Sequence, residues 1–454
     1  MFTRRSSLLF WVGLLFSLTL WLLNVAVGRA QTLPIVIDDR ITVSLPDEVT
    51  FAIEASGDQP ITSIVLTYGI TARTCQEAVA TQAVEFEPGR DVEASWALDL
   101  RKAGSLPIGA EIWWSWELID ETGARSTTER QVARIDDSRF AWRSATRGPI
   151  TLSWHTGDAA FGAALLAIAD ASLNRISQDA GLVFEDPIQV FIYAQPDEIA
   201  EVILFQPEWV GGLAFPEHNI VMAAIAPGED AWAQEVLPHE LMHLVSGALT
   251  FNCRGAQLPT WLSEGLSRFA EERADATFAA QVRDRALAGD LPPLLSLANQ
   301  FSAFGNEARV SYEQSRQVVT FMIETYGADR MADLLAGLQS GLAIDAALIK
   351  VYDLDTQSLD SAWRASFGAP TRPAARVTPI SVPTLALWTA VPQASATLAP
   401  TDTPRPPTPT PAPTVAPTAE APKTSPTTGP LGCGGSIVLL GGLAWFVTRR
   451  RVRL

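Results

Sequence analysis

The sequence predicts an α+β protein built in tandem: an antiparallel β-sandwich, a mixed α/β and helical domain, a disordered stalk and a C-terminal transmembrane helix. Three observations predict it. Residues 40–136 alternate apolar and polar positions in short runs, and from Asp137 such runs alternate with longer helical periodicities. A proline- and threonine-rich tract at 370–428 then precedes an uncharged apolar stretch.

The 454-residue chain opens with Met1-Phe-Thr-Arg4-Arg5, an apolar run from Leu8 to Val27, and the small-residue sequence Gly28-Arg29-Ala30. A charged start, an apolar middle and small residues at the end describe a secretory signal peptide over 1–30, cut after Ala30. The run is also long enough for an uncleaved anchor, since about 20 apolar residues span a bilayer.

Residues 31–136 carry the runs Val49-Phe51-Ile53, Ile61 to Tyr68, Val92 to Leu100 and Ile112 to Leu118, broken by turn residues. Strands of this length with almost no helical pattern predict an immunoglobulin-like β-sandwich. The segment holds no cluster of titratable or metal-binding residues, so its expected role is structural or substrate-presenting.

Residues 137–368 form the second expected domain. Ile150 to Trp154 and Ile188 to Tyr193 read as strands, and Ala163 to Ala180 between them reads as an amphipathic helix. Further helices are expected at 231–249, 260–273, 276–288 and 312–326.

Residues 369–430, with TDTPRPPTPTPAPTVAPTAEAP at their centre, cannot bury a core and read as an extended stalk. Leu431 to Thr448 is uncharged and precedes Arg449-Arg450-Arg451-Val-Arg453-Leu454, the pattern of a single-pass transmembrane helix with a basic cytoplasmic tail at 449–454. This arrangement predicts a cell-membrane protein whose folded part is extracytoplasmic. A sorting signal cut near Gly432-Cys433-Gly434 would move the anchor without changing the side.

Charge agrees with that division. Seven of the 33 Lys and Arg residues lie at the two ends, leaving 26 against 50 acidic residues, a net charge near −24 for the outward part. A field of that sign excludes nucleic acid as an expected partner. Cys75, Cys253 and Cys433 are too few for a disulfide scaffold or a cysteine zinc site. Cys75 and Cys253 can pair in an oxidising compartment, although they fall in different expected domains.

The residues that carry chemistry are Leu237-Pro238-His239-Glu240-Leu241-Met242-His243, followed by Trp261-Leu262-Ser263-Glu264-Gly265. On a helix, positions i and i+4 share a face, so His239 and His243 can offer imidazoles to one ion. Only four histidines are present, and chance produces this spacing in about two chains per thousand. A hydrolytic zinc needs a third protein ligand, for which Glu264 is the candidate; a first-turn glutamate favoured by the helix dipole is the alternative. Glu240 lies beside the metal as general base on the water the metal activates. One zinc ion per chain is expected. His155 and His218 read as surface or hydrogen-bonding residues.

His239 to His243 with Trp-Leu-Ser-Glu264-Gly resembles the gluzincin metallopeptidases, and among them the peptidase MA-like family of secreted bacterial proteins. The likeness extends over roughly residues 137–367, including Gly211-Gly212-Leu213-Ala214 and Tyr312 to Gly327. It implies a zinc peptidase fold, peptide or protein substrates, and a substrate-binding edge strand at Gly211, Gly212, Leu213 and Ala214, where an ordinary turn is the competing reading. It also implies that Tyr312 donates its hydroxyl to the oxyanion; alternatively Tyr312, Val319, Ile323 and Tyr326 form one core face. Many relatives place a carboxylate four residues after the third ligand, where this chain has Arg268. Glu271, Glu272 or a backbone carbonyl is left to orient the histidine. An inactive peptidase-like binding or adhesion protein is the competing function. Oligomeric state is not legible.

Overall fold

A computed structural model of the chain describes residues 33–371 except 205–210, 272–274, 300 and 302–304. The expected signal peptide, transmembrane helix and basic tail, and the stalk beyond Thr371, lie outside the described residues.

The first part is a seven-stranded antiparallel sheet: β1 (Ile35–Ser44), β2 (Glu48–Thr71), β3 (Val79–Val84), β4 (Gly89–Asp99), β5 (Glu111–Asp120), β6 (Arg125–Thr127) and β7 (Gln131–Arg134). A short helix, α1 (Leu100–Ala103), follows β4. The 24-residue β2 organises the sheet. Its first half pairs with β1 and β4 and its second half with β3 and β5, with register shifts between Ser56 and Ile61 against β4 and between Ile61 and Ser63 against β5. The break falls at Gly57-Asp58-Gln59-Pro60, where proline has no N–H for the ladder. The halves face one another: the Phe51 ring lies 5.6 Å from Tyr68 and 5.8 Å from Trp114. The expected two-sheet sandwich is therefore corrected to one hydrogen-bonded sheet folded over itself, because a single long strand belongs to both layers. Asp39 closes it by accepting from the indoles of Trp114 (2.7 Å) and Trp116 (3.0 Å).

A five-stranded sheet follows, made of β8 (Arg143–Arg147), β9 (Ile150–Trp154), β10 (Ile188–Tyr193), β11 (Gly212–Phe215) and β12 (Ile220–Ala224) in the order β11-β12-β10-β9-β8. The central strands β9, β10 and β12 are parallel, and β8 and β11 are antiparallel at the two edges. Val190, Ile192, Val221 and Ala223 point into the helical core. Phe191, Tyr193, Ile220, Met222 and Ala224 alternate with them and join the core of the seven-stranded sheet. Strands buried on both faces read as continuous apolar runs, as Ile220-Val-Met-Ala-Ala224 does.

The helices are α2 (Ala159–Ala180), α3 (Pro196–Ala200), α4 (Asp230–Thr250), α5 (Thr260–Ala270), α6 (Ala276–Leu287), α7 (Gly305–Tyr326), α8 (Ala328–Gln339), α9 (Ile344–Tyr352) and α10 (Thr356–Ala365). Among the described residues α2 is the one helix long and apolar enough to cross a membrane. Its Leu165, Leu166, Ala169, Leu173 and Ile176 are buried in the helical core. Helix α7 starts at Gly305, seven residues before the expected start, because its first two turns carry only Ala308 and Val310 as buried apolar residues and give a faint periodic signal. Helix α5 stops at Ala270, short of the expected Arg273, as Glu271 turns to extended backbone (φ −67°, ψ 138°).

Candidate metal centre

Helix α4 runs through Pro238, which has no N–H to give to the carbonyl of Gln234, four residues earlier, and so interrupts the helical ladder one residue before His239. The helix nevertheless sets His239 and His243 one turn apart with both Nε2 atoms on one side, 3.1 Å from each other. Helix α5 brings Glu264 Oε2 to 3.6 Å from His239 Nε2 and 3.3 Å from His243 Nε2. Two ligand atoms held at about 2.0–2.1 Å by a tetrahedral zinc lie roughly 3.3–3.4 Å apart, so the three separations bracket the edge of a zinc tetrahedron. Glu264 Oε2 is buried and has no hydrogen-bond partner, a costly state for a carboxylate unless a cation satisfies it. These residues fit zinc.

The other imidazole nitrogens are held from α5 and its end. His239 Nδ1 donates to Glu271 Oε1 at 2.8 Å, and His243 Nδ1 meets Ser263 Oγ at 3.1 Å. Fixing Nδ1 in this way leaves Nε2 to face a metal ion. Arg268 pairs with the second oxygen of Glu271. Of the sequence's candidates for orienting a histidine, Glu271 is the one in place; Glu272 lies outside the described residues. Glu271 stands just past the end of α5, on extended backbone that carries its carboxylate to His239. Nothing in the sequence singles out Ser263 beyond its place beside Glu264.

Electrostatics favour a dication here. With both imidazoles neutral, as metal ligation requires, Glu240, Glu264 and Glu271 as carboxylates against Arg268 leave two negative charges. Burial opposes a charged His239, yet Glu271 above all, with Glu240 and Glu264, raises its imidazole to about 9. Burial pushes the Glu264 carboxyl up, but the His243 and His239 imidazoles overcome it and hold the group below the usual carboxylate range. Glu240 is also buried, and there desolvation prevails and its carboxyl is raised, the direction that suits a proton acceptor working near neutrality.

Two glycines permit the close approaches the site needs. A Cβ on Gly212 would stand 2.7–2.9 Å from Glu240 Cγ, Cδ and Oε1, so strand β11 lies directly on the glutamate. A Cβ on Gly265 would meet the Ser315 carbonyl at 2.6 Å and Val319 Cγ2 at 2.7 Å, so α5 and α7 touch through backbone. That contact carries Tyr312, on α7, to the site. Burial raises the Tyr312 hydroxyl well above its ordinary range, and the Glu264 and Glu240 charges add to the shift. Its ring packs edge-on against Phe301, centroids 5.0 Å apart.

The three candidate ligands, Glu240, Glu271 and Tyr312 line one cleft of about 820 Å³. Gly211, Gly212, Leu213 and Ala214 form one wall, with Gly212 to Ala214 on the free edge of the sheet. Tyr312, Phe278 and Arg309 also line the cleft, the last two without a signal in the sequence. His155 and His218 stay apart from the metal cluster. His155 Nε2 meets Glu198 Oε2 at 3.1 Å, and His218 Nδ1 donates to the Thr71 carbonyl at 3.2 Å.

Residues 168–369 match the family model of the Peptidase MA superfamily. Among solved structures, an M1 zinc metallopeptidase from Deinococcus radiodurans is similar at 13% identity over 76% of this chain and 97% of its own, with a TM-score of 0.31. Wild-type OgpA from Akkermansia muciniphila is similar at 11% identity over 23% of this chain and 29% of its own, with a TM-score of 0.18. Comparison with curated proteins finds no match.

Proposed function

We propose, from the match of residues 168–369 to the family model of the Peptidase MA superfamily, that the chain is a zinc peptidase that hydrolyses peptide bonds in the cleft beside strand β11. The observation that carries this reading is the convergence of His239 Nε2, His243 Nε2 and Glu264 Oε2 beside the buried Glu240. A zinc ion held by those three side chains supplies Lewis-acid polarisation and lowers the pKa of water.

The remaining work falls to this chain's own groups. An extended peptide adds to the free edge of β11 through backbone hydrogen bonds, which brings its carbonyl over Glu240. Glu240, its carboxyl raised by burial, takes a proton from the attacking water and returns it to the leaving amine. The Tyr312 hydroxyl, kept protonated by burial, donates to the carbonyl oxygen as negative charge develops there. Glu271 and Ser263 hold the imidazoles in one tautomer throughout.

The test pairs metal content with turnover. Glu240→Gln keeps about one zinc per chain and loses roughly 10³-fold or more in kcat, and Tyr312→Phe loses about 10²-fold with little change in KM. His243→Ala and Glu264→Ala lose the metal. Full activity in Glu240→Gln, or equal zinc in all variants, refutes the assignment. Peptide binding without cleavage by the zinc-loaded wild type supports instead an inactive binding protein.

The reading extends to location: residues 431–448 anchor the chain, the stalk at 369–430 holds the peptidase outside, and the C-terminus is cytoplasmic. Protease added to intact cells then releases the folded part while a tag after Leu454 stays protected. The opposite protection pattern reverses the orientation.

A further inference from the structure

Most of the charges lining the cleft, which include Glu235, sort by what engages them. Glu240, Glu264, Glu271 and Arg268 belong to the metal cluster. Glu313 accepts from Arg316 at 2.7 and 2.9 Å and from Gln317 at 3.0 Å. Asp275 caps α6, accepting from the backbone N–H of Thr277 (2.9 Å) and Phe278 (3.3 Å). Glu229 accepts from Ala226 N at 2.8 Å. Outside the cleft, Arg285 takes up Glu307, the carboxylate two residues before Arg309.

Arg309 differs from all of these. It lines the cleft, half-buried, and among the described residues it forms no ion pair. Its guanidinium is placed by the ring of Phe278, 5.5 Å from the centroid. A guanidinium on an aromatic face keeps its edge N–H groups free for a planar bidentate acceptor. Its position on α7 sets its distance from the chemistry. Arg309 precedes Tyr312 by three residues, so the two share a helix face at a rise of about 4.5 Å. An extended peptide advances about 3.3 Å per residue, so a cation at this spacing meets a group one or two residues from the bond at Tyr312.

We propose that Arg309, seated on Phe278, is a specificity-determining subsite for a peptide carboxylate one or two residues from the scissile bond. This rests on the peptidase reading above. The carboxylate comes either from an aspartate or glutamate side chain or from a free C-terminus. The outward part of the chain is strongly acidic, so bulk electrostatics repel such a substrate and the preference arises at this one residue.

The test uses the full chain, zinc-loaded, with a set of fluorogenic peptides differing only as Glu or Gln at each position near the cleaved bond. Each peptide is made with a free and an amidated C-terminus. The wild type favours the carboxylate peptides in kcat/KM by roughly 10- to 100-fold, the range of a charge-assisted pair. In Arg309→Gln that ratio falls to about one, and Arg309→Lys retains part of it, with zinc content and Tm held. Loss of preference on amidation alone identifies the C-terminus as the source; loss on Glu-to-Gln exchange alone identifies the side chain. A wild-type ratio near one, or an Arg309→Gln variant that keeps the ratio, overturns the subsite. Calorimetric titration of the same peptides into zinc-loaded Glu240→Gln separates the two failures: peptides that bind without discrimination refute only the subsite. Peptides that neither bind nor are cut refute the peptidase reading and the subsite with it.

Discussion

Two parts of the chain brace the surroundings of α4, and they do different work. Helix α5 and its end supply Glu264, Ser263 and Glu271, each set against an imidazole. The loop between β2 and β3 supplies Arg73 and Cys75, neither of which belongs to the candidate metal cluster. Arg73 donates to the Pro216 carbonyl (2.6 Å), to Asn219 Oδ1 (3.2 Å) and to Asp186 (3.1 Å), and its own N–H bonds the Glu217 carbonyl (2.7 Å). It thereby grips the turn between β11 and β12. Cys75 is disulfide-bonded to Cys253 in the segment linking α4 to α5, a closure 178 residues apart in sequence. Metal chemistry is thus gathered within one helix pair, while the placement of that pair and of the substrate strand is fixed from far away in the chain.

The largest test of this division is removal of the disulfide. Loop-closure entropy for a 178-residue separation is worth roughly 5 kcal/mol as an upper bound. The Cys75→Ser, Cys253→Ser pair therefore lowers the Tm by several degrees or more in calorimetry of the metal-free protein, while the fraction that remains folded binds zinc as the wild type does. Loss of zinc affinity in that folded fraction would break the division, since the β2–β3 loop would then be tuning the metal directly.

A smaller effect is expected on the α5 side. Glu271→Gln weakens zinc roughly 10- to 100-fold in competition with a chelator, because the replacement amide no longer polarises His239 or fixes its tautomer. Metal-free Tm should move little, and comparing metal-free proteins matters because bound zinc itself stabilises the fold. Ser263→Ala, which removes a neutral partner of His243, should cost less than Glu271→Gln in the same titration. Equal losses in the two variants would mean that the carboxylate contributes no more than the hydroxyl.

Much of the site was legible because its geometry is local. His239 and His243 are tied by the helical repeat alone, and Ile150–Trp154 and Ile188–Tyr193 are strands in the structure as in the sequence. Glu271 was legible only in part. Its choice over Glu272 depended on α5 ending at Ala270, which turns one carboxylate toward His239. Arg309 carried no motif at all, since its significance lies in which neighbours engage the other charges.

By itself, then, the sequence determined most of the strands and helices and the pairing of His239 with His243 on one helix face, because hydrophobic period and i, i+4 spacing act over a few residues and need no partner. The close approach of α5 to α7 through Gly265, the seating of β11 on Glu240 through Gly212, and the folding of β2 across two layers were decided only by the tertiary structure. So was the core shared between the seven-stranded sheet and Phe191, Tyr193, Ile220, Met222 and Ala224. The physical reason is that alternation marks a strand's two faces as buried but carries no address for what covers them. That address is written in packing between segments more than a hundred residues apart.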